Sequence, residues 1–191
     1  MGIRDLSKQA FADTLEQMLI TTPIDKIRVT TLAKKVGTSP QTFYYHFKDK
    51  YDLIAWIFLE DFSKVQQQRQ GNYSADELLK MITTMDQRKN FYKKAFTDKS
   101  QNSIEDYIGQ MNLDWAVKAV KFKFHRNMTP QEYTQFIYHN GGVISLFKNW
   151  LFDRLPIDIN QLAQFDYEHT PVFLKQAFSV YPYSSIHDKK V

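Results

Sequence analysis

The sequence predicts an all-α protein, and three observations support that prediction. Apolar residues recur at three- and four-residue steps along most of the chain, and no stretch alternates cleanly enough for a β-strand. Proline, glycine and capping residues separate the helical segments. With 191 residues, of which 43% are hydrophobic and 24% charged, the chain can bury a core in one domain or in two small ones.

The composition also excludes several classes of function. The chain has no cysteine, which removes disulfides, thiolate zinc sites and thiol nucleophiles. Its six glycines form neither a G-x-G-x-x-G nor a Walker-type loop, so nucleotide chemistry through those folds is excluded. Charges interrupt the N-terminal apolar residues, and the longest apolar run spans only residues 53–59. We therefore expect no signal peptide, no membrane span and a cytoplasmic location.

The first two helices are predicted from their apolar faces and their ends. Apolar side chains recur at helical spacing from Phe11 to Leu19. This helix ends before Pro23, because proline pushes the preceding residue out of the α region. Thr30 is the predicted N-cap of the second helix, and Gly37 is typical of a residue that ends one.

The next two helices follow from a capping pair and a long apolar segment. Ser39 is a good N-cap and Pro40 suits a first helical position, which predicts a short helix over 41–47. A longer helix is predicted over 49–70. Its apolar side chains lie nearly all round, so we expect it to pack on two sides.

The rest of the chain is predicted to be helical as well. Gly71-Asn72 marks a linker, and Ser74-x-x-Glu77 fits a capping box for the next helix. The polar tail at 183–191 is expected to fray. The further predicted helices lie near 76–86, 88–97, 102–125, 130–154, 158–166 and 171–180.

The segment from residue 27 to 53 has the pattern of a helix-turn-helix. Between residues 26 and 50, six basic side chains oppose Asp49 alone, a net charge of +5, whereas the other 166 residues sum to −1. The positive field is thus confined to a segment whose outward polar side chains can bond base edges and phosphates. The apolar seam predicted to join the two short helices is Leu32, Ala33, Val36, Phe43 and Phe47.

The same segment resembles the signature of TetR-type transcriptional regulators. The matching residues are Ala33, Gly37, Val29-Thr30 and Phe43-Tyr44-Tyr45-His46-Phe47, followed by Lys50 and Leu53. The resemblance covers about residues 5–65. It implies a three-helix DNA-binding head at 1–50, a connecting helix at 51–70 and a larger helical ligand-binding and dimerisation body at 71–182. Thr38 departs from the pattern, because the family usually has a small aliphatic residue there.

The resemblance also implies roles for single residues on double-stranded DNA. Gln41, Thr42 and Tyr45 would read bases, and Tyr44, His46 and Lys50 would hold phosphates. Thr30 and Thr38 would lie near the DNA backbone. The full predicted DNA-binding set is Arg28, Thr30, Thr38, Ser39, Gln41, Thr42, Tyr44, Tyr45, His46, Lys48 and Lys50.

Residues 135–151 resemble a helix of one TetR subgroup, which includes regulators of dihydroxyacetone-kinase operons. Two readings of this helix stay open, an intramolecular core helix and the seam of a homodimer. In the second reading Gly141 and Gly142 let a partner helix approach closely. The predicted dimer residues are Ile137, Gly141, Gly142, Ile144, Phe147, Trp150 and Leu151.

The body could also hold a small-molecule effector. Candidate pocket residues are Tyr107, Met111, Trp115, Phe122 and Tyr138, although a helical core is made of the same residue types. The five histidines lack metal-ligand spacing, so we expect no metal and no cofactor. A site assembled in three dimensions from His125, His139 and His169 is the alternative.

The sequence therefore predicts a dimeric transcriptional regulator, a repressor released by a ligand, and not an enzyme. An activator or co-regulator whose body binds a partner protein is the alternative. We expect no catalytic residue, because no nucleophile–base pair or metal motif is visible.

Overall fold

The computed structural model describes residues 3–67, 73–97 and 104–182. In these ranges the chain forms α-helices and one short 3-10 turn at Ile24–Lys26, and none of the described residues lies in a β-strand. The all-α prediction is confirmed. The helices are α1 (Ile3–Thr21), α2 (Val29–Val36), α3 (Pro40–His46), α4 (Lys50–Gln67), α5 (Ala75–Gln87), α6 (Lys89–Ala95), α7 (Ile104–Phe124), α8 (Pro130–Leu151), α9 (Ile159–His169) and α10 (Val172–Val180).

Several predictions fall on residues that the structure does not describe. These are residues 1–2 of the head, residues 68–70 of the connecting helix, the linker at 71–72, residues 102–103 of the helix predicted over 102–125, and the tail at 183–191. The division of the chain into a head at 1–50, a connecting helix and a body stays a prediction.

Most helix ends lie where the local signals predict them, and one does not. α1 ends at Thr21, ahead of Pro23. α2 begins at Val29 with Arg28 as its N-cap and no side-chain capping bond, so the prediction of Thr30 as N-cap is wrong. The carbonyl of Arg28 already accepts the first helical bond, from the Leu32 amide at 3.0 Å, and Thr30 lies inside the helix.

One compact unit contains the described residues up to Leu59 together with those between Arg88 and Tyr107. Its core includes Phe11 and Phe43, both 0% exposed, whose rings meet edge to face with centroids 5.2 Å apart. α6 packs on α1 in this unit. There Arg88 pairs with Glu16, which joins the two helices at the surface of the core.

The other compact unit contains residues 60–87 and the described residues from Ile108 onward. α5 packs along α9. The Trp115 ring stacks on Phe178, with 4.1 Å between centroids and 5° between planes. The stacked pair joins α7 to α10. The Tyr73 hydroxyl, just before α5, lies 3.2 Å from Thr170 Oγ1 at the end of α9, a buried polar contact.

Two helices of this second unit begin with reciprocal caps. At α8, Thr129 accepts from the Glu132 amide and Glu132 accepts from the Thr129 amide. Asp158 and Gln161 do the same at α9. Each cap satisfies amides that the first helical turn leaves without partners. Among the described helices, none combines the length and apolar character needed to cross a membrane.

Candidate nucleic-acid interface

The helix-turn-helix rests on a buried apolar seam between α2 and α3. Leu32, Ala33 and Phe43 are completely buried and Phe47 is 3% exposed, which confirms these four seam predictions. Val36 is only half-buried. Because the side chains that join the two helices point inward, the opposite face of α3 is left to its polar and tyrosine side chains.

The turn between these helices needs glycine for its backbone conformation. Gly37 has φ +80° and ψ +30°. Its amide donates to the carbonyl of Lys34 at 3.1 Å, and the Thr38 amide donates to that of Ala33 at 3.0 Å, a pair of bonds that closes the end of α2. A Cβ added at Gly37 would meet no atom within 4 Å. The left-handed φ, and not lack of space, is therefore what favours glycine here.

The first turn of α3 is fixed by the predicted capping pair. The Ser39 hydroxyl accepts from the Thr42 amide at 3.3 Å, and Pro40 occupies the first turn. The hydroxyls of Ser39 and Thr42 also lie 3.2 Å apart. Both hydroxyls therefore help to set where α3 begins, in addition to any contact with DNA.

The solvent-facing side of α3 carries one amide and two aromatic side chains. Gln41 is exposed, and Tyr44 and Tyr45 are 59% and 64% exposed. The Tyr45 ring meets the half-buried ring of His46 at 5.0 Å. Of the predicted DNA-binding set, the exposed members are Arg28, Thr30, Ser39, Gln41, Tyr44, Tyr45 and Lys48, and the half-buried ones are Thr38, Thr42, His46 and Lys50.

Lys50, predicted to hold a phosphate, binds the protein's own backbone. Its ammonium donates to the carbonyls of Asp25 at 3.2 Å and Ile27 at 3.1 Å. These carbonyls belong to the 3-10 turn and the link just before α2. Lys50 therefore ties the start of α4 to the start of the helix-turn-helix. Lys48 is exposed, and its backbone amide donates to Asp52 Oδ2 at 2.9 Å.

Asp49 caps α4 and also receives a bond from α7. Its Oδ1 accepts from the amides of Tyr51 at 2.8 Å and Asp52 at 3.0 Å. Its Oδ2 accepts from the Tyr107 hydroxyl at 2.8 Å. Burial and this bond raise the pKa of Tyr107 well above its ordinary value. Tyr107, predicted from sequence as a pocket residue, thus contacts the beginning of α4.

The other predicted body residues lie in several kinds of environment. Trp115 is half-buried, and its ring stacks on that of Phe178. Phe122 is 50% exposed, with its edge toward Tyr181. Tyr138 is 87% exposed and lines a groove beside α9 and α10. Met111 is half-buried.

The residues predicted for a dimer seam differ in exposure. Ile137 is 47% exposed, and both Gly141 and Gly142 face open space, with no atom within 4 Å of an added Cβ. Trp150 and Leu151 are 5% and 0% exposed. Trp150 and Leu151 therefore belong to the core of the chain itself, because they lie on the side of α8 opposite its open face. Ile144 and Phe147 are half-buried.

The structure gives no support for the alternative of a metal site. Over the described part of the chain, no group of three or more His, Asp or Glu side chains is placed to hold a metal ion. His139 Nε2 is 3.7 Å from Asp166 Oδ1, and His169 follows Asp166 by three residues on α9.

Three structural features of this region were not predicted from the sequence. They are the 3-10 turn before α2, the bonds from Lys50 to the backbone, and the bond between Asp49 and Tyr107. An Asp just before a predicted helix does signal an N-cap. No local pattern connects residue 49 with residue 107.

Comparisons with known proteins match both parts of the chain to regulators. Residues 13–57 match the model of the bacterial regulatory proteins of the tetR family, and residues 73–166 match that of a transcriptional regulator C-terminal region. A curated relative from Lactococcus lactis subsp. lactis (strain IL1403), the HTH-type dhaKLM operon transcriptional activator DhaS, is 25% identical over 92 residues. The match spans 48% of this chain and about half, 49%, of that relative.

A solved structure shares the fold. The dihydroxyacetone kinase operon activator DhaS superposes with a TM-score of 0.52 at 16% identity, over 92% of this chain and 98% of that one.

Proposed function

Because the chain belongs to the TetR family of bacterial regulatory proteins, we propose that it is a sequence-specific DNA-binding transcriptional regulator. The observation that carries the proposal is the outer face of α3. There Gln41, Tyr44 and Tyr45 project from a short helix whose inner face is buried. A helix held in this way can enter the major groove, where base edges present a distinct pattern of donors and acceptors.

The side chains divide by the contacts they can make. The amide of Gln41 can bond a base edge in two places, and Thr42 and Tyr45 offer hydroxyls next to it. Tyr44, His46 and Lys48 would contact phosphates. Arg28 and Thr30 at the start of α2, and Thr38 and Ser39 after the turn, would do the same. Lys50 contributes charge to this surface, and its ammonium positions the helix-turn-helix through the two backbone carbonyls.

A homodimer on a palindromic operator follows from the way such heads read DNA. Two recognition helices must fall on half-sites about 34–36 Å apart. The open face of α8 supports a dimer seam at Ile137, Gly141 and Gly142, since small residues let helix backbones approach closely. Ile144 and Phe147 would border this seam.

We assign the regulatory sign as repression that a small-molecule effector relieves. The effector would bind better to the state whose recognition helices are spaced wrongly for the operator. The family supplies no reason to propose catalysis, a metal or a cofactor, and the site of action is cytoplasmic DNA. The names of both DhaS proteins contain the word activator, which describes those proteins, and the alternative for this chain is an activator or co-regulator whose body binds a partner protein.

Selection from random duplexes tests the proposal. The wild-type chain should enrich a palindrome, and the Gln41→Ala variant should relax one base position per half-site, at a cost of about 1–3 kcal/mol there. Enrichment of no sequence at all by the folded wild-type chain would contradict the function. A reporter carrying the selected site then gives the sign, since expression falls for a repressor and rises for an activator.

A further inference from the structure

The compact unit that contains the helix-turn-helix also contains a segment from much later in the chain. This segment comprises the described residues between Arg88 and Tyr107, which form α6 and the first turn of α7. The boundary of the unit falls inside α7, between Tyr107 and Ile108. Ile104, at the start of α7, is 1% exposed. The first turn of α7 is therefore part of the same unit as the helix-turn-helix, whereas the rest of α7 belongs to the other unit.

The helix α6 is held to α1 at two places. Arg88 pairs with Glu16, and the Lys94 ammonium donates to the carbonyl of Ile20 at 2.7 Å. That carbonyl lies in the last turn of α1, where a helix supplies no partner of its own. Because α1 in turn packs on α2, these contacts attach α6 to the helix that supports the helix-turn-helix.

The hydroxyl of Tyr107 connects the same segment with the beginning of α4. It donates to Asp49 Oδ2 at 2.8 Å, while Asp49 Oδ1 accepts from the amides of Tyr51 and Asp52 at 2.8 and 3.0 Å. Burial and this bond raise the pKa of Tyr107, so its hydroxyl keeps the proton and is a donor at neutral pH. A bond to an ionised acceptor is stronger than one between neutral groups. Tyr107 therefore fixes the orientation of the carboxylate that caps α4.

Asp49 lies between the two ends of the helix-turn-helix. α3 ends at His46, three residues earlier. The residue after Asp49 is Lys50, whose ammonium donates to the carbonyls of Asp25 at 3.2 Å and Ile27 at 3.1 Å, just before α2. A shift of Asp49 would thus be passed to the entry of α2 and to the exit of α3, although Asp49 is not part of the recognition face.

We propose that Tyr107 is a positioning residue for DNA recognition: its bond to Asp49 sets the orientation in which α3 presents Gln41 and Tyr45 to base edges. The inference rests on the proposed function and deepens it, since it assigns a residue of α7 to the reading of DNA. The alternative is a purely structural bond, which would stabilise the fold and leave recognition unchanged.

Specific and non-specific DNA binding respond differently to a misplaced recognition helix. Hydrogen bonds to base edges are directional, and they weaken steeply when donor and acceptor are misaligned. Attraction to phosphates is largely electrostatic and does not depend on the base sequence. Loss of positioning should therefore lower the affinity for the operator more than the affinity for an unrelated duplex. A less stable fold lowers neither affinity as long as the chain stays folded.

Tyr107→Phe removes the hydroxyl and keeps the ring. Fluorescence anisotropy compares the palindrome that the wild-type chain enriches with a scrambled duplex of equal length, at one salt concentration and well below the melting temperature. We expect the affinity for the palindrome to fall about three- to tenfold, the range that one net hydrogen bond allows, and the affinity for the scrambled duplex to stay within about twofold. An unchanged ratio of the two affinities would overturn the proposal.

Tyr73→Phe is the matched control. It removes a tyrosine hydroxyl that lies 3.2 Å from Thr170 Oγ1 in the interior of the other unit. We expect a comparable fall in melting temperature and no change in the ratio of affinities, because this contact lies outside the unit that contains the helix-turn-helix. An equal fall of the ratio in both variants would indicate general loosening of the chain and would refute the role of Tyr107.

A double-mutant cycle tests whether Tyr107 acts through Asp49. Asp49→Ser keeps a side-chain oxygen that can cap α4 and removes the oxygen that accepts from Tyr107. It should lower the ratio of affinities, and the addition of Tyr107→Phe should lower that ratio no further. The ratio also cancels the general effect of removing one negative charge from the protein. Losses that multiply in the double variant would mean that the two residues act independently, which contradicts the proposal.

Amide hydrogen exchange tests the positioning without DNA. In Tyr107→Phe the amides of residues 51–52 and 26–27, which are bonded in the wild type, should exchange at least about threefold faster, because their bonds open more often. The same amides should be unaffected in Tyr73→Phe. Unchanged exchange in Tyr107→Phe would overturn the inference whatever the DNA results. Enrichment of no sequence by the wild-type chain would instead refute the proposed function, and the exchange rates would still show whether Tyr107 holds these segments.

Discussion

Substitution of Lys50 distinguishes a structural role of this side chain from a role in binding DNA. Its ammonium donates to two carbonyls, of Asp25 and Ile27. Lys50→Met keeps most of the side chain and removes both bonds. Hydrogen bonds to charged groups contribute about 1.5–3 kcal/mol each. Because Lys50 is half-exposed, we discount the pair to the value of one such bond, about 1.5–3 kcal/mol.

For a chain of this size 1 kcal/mol shifts the melting temperature by about 2–4 °C. We therefore expect Lys50→Met to lower it by about 3–12 °C in calorimetric unfolding.

Lys48→Met is the matched control for this variant. Lys48 is exposed, and its hydrogen bond to Asp52 comes from the backbone amide, which methionine retains. We expect no change in melting temperature, and a salt dependence of operator binding that is shallower by about 0.9, the value for one phosphate contact. If Lys50→Met instead left the melting temperature unchanged and made the salt dependence shallower by that amount, Lys50 would be a phosphate ligand and our reasoning would be wrong.

Two further changes test the same region. Gly37→Ala should destabilise the fold by about 1–2 kcal/mol in urea unfolding, because a left-handed φ is unfavourable for alanine. Gly37→Asn should destabilise it less. Equal stability of the wild type and both variants would contradict the argument from the backbone conformation. Tyr107→Phe removes the bond to Asp49 and should cost about 1 kcal/mol. Burial and this bond keep Tyr107 protonated at about pH 11, where ordinary tyrosines ionise. The wild type and Tyr107→Phe should therefore form the same number of tyrosinates up to that pH, and the loss of one tyrosinate in the variant would count against the bond.

The sequence was most informative where a structural feature depends on neighbouring residues. Ser39-Pro40 and Thr129-Pro130 each start a helix at the predicted place, because caps act on amides two or three residues away. Gly37 ends α2 for a similarly local reason, its own φ. Most helix ends and four of the five seam residues could therefore be predicted from the order of residues alone.

What could not be predicted depends on which partner a side chain meets. Periodicity says that Trp150 and Leu151 lie on an apolar face, but it does not say whether that face meets the same chain or another copy. The structure buries both within the chain. Asp166 Oδ1 is buried and has no hydrogen-bond partner within the described part of the chain, which the sequence does not signal either, because an aspartate on a short helix is ordinarily solvated.

Asp49 and Lys50 show why the site needs the tertiary structure as well as the motif. Asp49 joins the first amides of α4 to Tyr107 on α7, and the next residue, Lys50, joins the same helix start to the carbonyls of Asp25 and Ile27. A movement of the first turn of α7 would thus act on the beginning of α4 through one carboxylate. From there it would reach the segment before α2 through one ammonium. The segments on either side of the helix-turn-helix are in this way held by a contact far along the chain, although α3 itself carries the predicted recognition surface.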